Sequence, residues 1–103
     1  MWGQQHSVTL TWTDILNPPP PATTYTVYRA TSSASCTGTL PFTVQVASLT
    51  VETWVDVGVI DGGIYCYYVE AVDTVTGDAS LPSTRATAAI VPHAPVLKAP
   101  VIH

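Results

Sequence analysis

Charge is what this chain has least of. Lys, Arg, Asp and Glu make up only 10% of its 103 residues, where soluble domains usually carry about 25%. The fixed cations are three, Arg29, Arg85 and Lys98, and the net charge is −4. A nucleic-acid partner requires a basic patch that displaces counterions from phosphates, and three scattered cations cannot build one. No run of 18 apolar residues occurs, so no membrane-spanning helix is predicted. Helical pattern is also lacking: no stretch of 10 residues keeps a helical period free of Pro or Gly. The opening Met1-Trp2-Gly3-Gln4-Gln5 has neither the basic start nor the apolar stretch of a signal peptide. Such a leader is expected to be absent, already removed, or upstream of this stretch.

Catalytic patterns are missing as well. There is no Gly-x-Ser-x-Gly, and His6, His93 and His103 all lie near the termini, so no base is placed beside a serine. The same spacing does not suit zinc, which wants a tight cluster of ligands. Asp56, Asp61, Asp73 and Asp78 fall in or near turns without the dense oxygen loop that calcium needs; turn-capping and edge roles are expected of them. No catalytic, metal or cofactor site is expected, and the chain reads as a non-enzyme.

What the sequence does contain is strand pattern. Hydrophobic residues make up 47% of it, and the abundant Val and Thr are β-branched, which suits a pleated surface better than a helix. Ser7 to Thr13 alternates strictly, with Val8, Leu10 and Trp12 on one face and hydroxyls on the other, as in a half-buried strand. Pro18 to Pro21 marks an exposed loop, because proline cannot donate to a ladder. Further strands are predicted over Tyr25–Arg29, Phe42–Val46, around Trp54-Val55-Asp56, over Ile64–Val72 and over Pro82–Ile90. Asp61-Gly62-Gly63 turns the chain before the strongest of them. In that run Tyr65, Tyr67, Val69 and Ala71 share one face, and Tyr68 shares the other with Cys66. The predicted core is Val8, Leu10, Trp12, Tyr25, Val27, Trp54, Tyr67, Val69 and Ala71. Tyr28 and Tyr68 read as an outward cross-strand pair, with sugar stacking as the alternative use of their rings. Short strands separated by turns imply two packed antiparallel sheets: an all-β, immunoglobulin-like sandwich.

Cysteine occurs twice, as Cys36 and Cys66, with no Cys-x-x-Cys spacing. The count fits one disulfide and an extracellular home; the alternative is two unpaired small apolar residues.

Several stretches resemble the fibronectin type III family, in a wording closer to bacterial members than to animal ones. Thr9-Leu10-Thr11-Trp12 is similar to its second strand, and Tyr25-x-Val27-Tyr28-Arg29 to its third. Trp54-x-Asp56, Val59, Gly62 and Tyr65-x-Tyr67-x-Val69-x-Ala71-Val72-Asp73 resemble its longest signature, and Ser80 with Pro82-Ser83 the start of its last strand. The resemblance covers about Ser7 to Pro92. It implies a tyrosine corner at Tyr65, whose ring packs near Val59 and whose hydroxyl bonds back to the main chain. It also implies a non-catalytic module used as a spacer, an adhesion unit or an accessory of a secreted hydrolase, with proteins and carbohydrate as possible partners. The Arg-Gly-Asp adhesion loop of some animal members is absent.

The ends depart from that family. Residues 1–6 do not resemble its first strand, whereas residues 93–103 begin like one. The domain is therefore expected to span 7–92, with its first strand missing or supplied by the C-terminal tail. Ala94, Val96, Leu97, Val101 and Ile102 are then candidates for a strand inserted into a neighbouring copy, with Trp2 packing beside it. A fragment of a longer multidomain protein and a self-assembling fibre subunit are the two readings of this feature.

Overall fold

In the computed structural model, residues 6–14 and 20–90 are described. They contain six strands and no helix: β1 (Val8–Thr11), β2 (Thr23–Ser32), β3 (Thr43–Leu49), β4 (Thr53–Asp56), β5 (Ile64–Asp73) and β6 (Ala86–Ala89). One sheet pairs β1 with β4; the other runs in the order β3-β2-β5-β6. Every pairing is antiparallel. The two sheets face each other as an all-β sandwich. Val27, Val59, Tyr65, Tyr67 and Ile90 form the buried cluster, and Val8, Leu10, Trp12, Trp54 and Val69 pack against it from partly buried positions. Tyr25 is buried beside Trp12, edge to face, with ring centroids 5.6 Å apart. Ala71 is only half buried.

The strand ends differ from the sequence expectation in a physically readable way. The last strand begins at Ala86, not at Pro82. Ahead of it the ladder along β5 is replaced by two serines. Ser83 donates its N–H to the Val69 carbonyl while its hydroxyl accepts the Val69 N–H; Ser80 treats Ala71 the same way. Pro82 has no N–H to offer a ladder, so the chain bulges between these two anchors and turns Leu81 outward, 89% exposed. The third strand begins one residue late, at Thr43, and continues to Leu49.

Tyr65 fixes the turn that precedes β5. Its hydroxyl accepts the Ile60 N–H at 3.0 Å, its ring is buried with Val59, and the Arg29 guanidinium lies 5.2 Å from the ring centroid. The ring also lies so close over Gly63 that a Cβ there would come within 2.6 Å of it. Glycine is required at this position by space alone. The Gly63→Ala variant is expected to lose about 1–3 kcal/mol, the usual cost of overpacking, read as a lower urea midpoint with an unchanged slope.

Asp56 has the expected turn-capping role, through the Gly58 N–H, and adds to it a buried one that was not expected. It is 2% exposed at the end of β4. Its carboxylate accepts from Arg29 Nη1 at 2.8 Å, from the Tyr67 hydroxyl at 2.7 Å and from the Gly58 N–H at 2.9 Å. Burial alone would raise its pKa, but these three donors and the Arg29 charge hold it below the ordinary carboxylate value. Asp73 likewise caps a turn, accepting the Val75 N–H.

Candidate functional site

Among the described residues, the structure brings together two features of the inner face that the sequence does not place side by side: an open strand edge and an apolar groove. β1 pairs with β4 through Val8, Leu10 and their neighbours, and Trp12 extends this ladder by donating its N–H to the Glu52 carbonyl at 3.1 Å. Main-chain groups alternate sides along a strand. Those of Thr9, Thr11 and Thr13 therefore point to the opposite edge, where no strand stands among the described residues. A row of unpaired N–H and C=O groups is a ready template for another chain.

Beneath that edge, between the sheets, lies a groove of about 410 Å³ walled by Trp12, Tyr25, Val69, Ala71, Leu81 and Ser83. A second hollow of about 340 Å³ shares Trp12, Thr13, Val69 and Ser83 with it and continues along β1 past Leu10 to Ala86. The lining is mainly apolar. Its polar end is anchored by Asp14, whose carboxylate accepts the Tyr25 hydroxyl at 2.8 Å and whose N–H donates to Glu52. Burial, reinforced by Asp14, pushes the Tyr25 hydroxyl up to about 12. The indole N–H of Trp12 is buried at this wall without an acceptor, which is uncommon for a buried donor. An arrangement of open edge, apolar floor and exposed Leu81 is suited to taking up an extended peptide.

The outer face of the four-stranded sheet carries a separate cluster. Cys36 is bonded to Cys66, with their Cα atoms 5.6 Å apart. A disulfide belongs to an oxidising environment. Tyr28 and Tyr68 are direct cross-strand partners and stack with centroids 4.6 Å apart; Phe42 meets Tyr68 edge-on. Arg85 lies over Phe42 and donates to the carbonyls of Cys36 and Gly38. These rings are engaged with one another, so they bind the 33–42 loop to the sheet.

His6 pairs with Asp61. Trp2, the tail residues Ala94, Val96, Leu97, Val101 and Ile102, and His93 and His103 lie outside the described residues. Among the described residues, no three His, Cys, Asp or Glu side chains gather closely enough to hold a metal ion, and no helix is long and apolar enough to cross a membrane. Nothing in the sequence marks Leu81 or Ser83 as groove residues. Their role depends on where the bulge before β6 sits in space, and the Pro82 between two serines was its one local trace. No protein-family model matches the chain, and no curated protein does.

Proposed function

We propose that the chain is a non-catalytic structural module of the fibronectin type III kind, working outside the cell, which joins a neighbouring module by accepting an extended strand along β1. The observation that carries this reading is an edge of β1 that no strand pairs among the described residues, above an apolar groove. The strand order and the Tyr65 hydrogen bond to the main chain support the family kinship. The Cys36–Cys66 bond supports an extracellular setting. Association by strand addition uses main-chain hydrogen bonds for affinity and the alternate side chains for selectivity, and this chain offers both in one place. A carbohydrate-binding role for Tyr28 and Tyr68 is the weaker reading, because their ring faces are spent on each other.

Hydrogen exchange tests the acceptor role. The amides of Thr9 and Thr11 should exchange quickly in dilute protein, and should become protected together as concentration rises. The Leu10 amide, already in the β1–β4 ladder, should be protected throughout. Thr9 and Thr11 amides that stay fast in every assembled state would remove the reading.

A further inference from the structure

The identity of the accepted strand follows from direction and from proline placement; this inference rests on the acceptor reading above. Ile90 is buried and bonded in both directions to the turn before β5: its N–H donates to the Gly63 carbonyl and its carbonyl accepts the Gly62 N–H. Asp61 of the same turn pairs with His6, just ahead of β1. The chain therefore leaves the module at the pole where β1 begins. From there, a tail laid back on its own β1 would run parallel to it. Parallel pairing is slightly less stable per residue than antiparallel pairing, and the tail would have to reverse direction and cross to the other sheet within Val91, Pro92 and His93. Continuing forward, the same tail meets a second module at its opposite pole, beside Asp14 and Trp12, and runs antiparallel to that module's β1.

We propose that residues 94–99 of one copy occupy the groove of the next, with Ala94, Val96 and Lys98 paired to Thr13, Thr11 and Thr9. This register places Pro95, Leu97 and Ala99 opposite Trp12, Leu10 and Val8, the residues whose side chains face the other sheet. It is the only antiparallel register that sets an apolar residue opposite each of those three and keeps proline out of the three hydrogen-bonding positions. A shift of two residues in one direction brings Pro100 to Thr9; in the other direction it brings Pro92 to Thr13. Pro95 itself falls where its missing N–H would point away from β1, a position that tolerates proline on an edge. Lys98, the sole charge of the segment, falls on the outward face with the threonines. The contact is heterologous, so it repeats without closing and builds an open filament.

Two variants of the full chain divide the roles. Thr11→Pro removes an edge N–H that the β1–β4 ladder does not use, so the chain can donate but not accept. Leu97→Asp puts a charge on the inserted face, so the chain can accept but not donate. Light scattering should show the unaltered chain growing in mass with concentration, and each variant alone should remain at one chain, 10.9 kDa. An equimolar mixture of the two should reach twice that mass and stop, because the pair leaves no second donor–acceptor match. An unaltered chain that stays monomeric at its highest soluble concentration overturns the proposal. If Leu97→Asp assembles like the unaltered chain while Thr11→Pro does not, the groove accepts a different segment: the proposal falls and the acceptor reading stands. If Thr11→Pro also assembles, both fall. Should Thr11→Pro fail to fold, Leu97→Asp decides the matter alone, because residue 97 lies beyond the described module.

Discussion

Replacing Asp56 with alanine is expected to cost the module about 3–5 kcal/mol, the usual result of breaking a buried ion pair from one side. Domains of this size are stable by about 5–15 kcal/mol in total, so the variant should unfold at far lower urea or not fold at all. The size of the effect comes from what is left behind. Arg29 Nη1 and the Tyr67 hydroxyl both lose their acceptor, and Tyr67 is 1% exposed. Arg29, whose side chain is only 21% exposed, is left a partly buried cation without its partner. The milder Asp56→Asn keeps an acceptor oxygen but removes the charge, and should fall between alanine and the unaltered chain. Urea melts of the three proteins test the order.

The same carboxylate gives the module an acid limit. Its pKa lies below the ordinary value of 3.8 in the folded chain, so the unfolded chain binds its proton first as pH falls. The stabilisation is fully present above the unfolded value and is lost as pH drops through the folded one. Stability should thus be flat near neutrality and decline below about pH 4, and the decline should be smaller in Asp56→Asn.

Reducing the Cys36–Cys66 bond, or replacing both cysteines with serine, is the second large effect. The bond closes a loop with a sequence separation of 30, which in the chain-entropy account stabilises the fold by roughly 3–4 kcal/mol. It also tethers the 33–42 loop, through which Arg85 and Phe42 reach the outer face. The reduced chain should melt at a clearly lower temperature. At about 4–8 °C per kcal/mol for a domain of 60–100 residues, the drop should exceed 10 °C. A shift of only a few degrees would mean that the outer aromatic cluster holds that loop without the bond.

How far the sequence foretold this arrangement varies with the range of the forces involved. β1, β2 and β5 were legible because each buries one face, and alternation records that directly in Val8, Leu10 and Trp12 or in Tyr65, Tyr67 and Val69. The beginning of β6 was not legible, since serine hydroxyls there do the work of main-chain partners and no alternation reports a hydroxyl substituting for a ladder. The burial of Asp56 was missed for a different reason. Its partners Arg29 and Tyr67 stand 27 and 11 residues away, and nothing in the neighbouring residues tells a buried acid from a turn acid. The expectation of a missing first strand rested on the weak match of residues 1–6 to one, and most of those residues lie outside the described ones. The groove beneath it, with Trp12, Tyr25 and Leu81 as walls, exists only once the two sheets are packed.

The disulfide has a further consequence, mechanical in kind, should the chain be pulled from its ends. When such a chain is pulled until it unravels, residues 37–65 remain inside a covalent loop and cannot be drawn out, whatever becomes of β3 and β4. At about 3.3–3.6 Å per residue, a separation of 30 residues removes roughly 100 Å from the length to which the oxidised chain can be stretched. Force would then meet a short, stiff stop. The reduced chain would yield by that much more before coming taut, so the redox state of one bond sets how far each link can give.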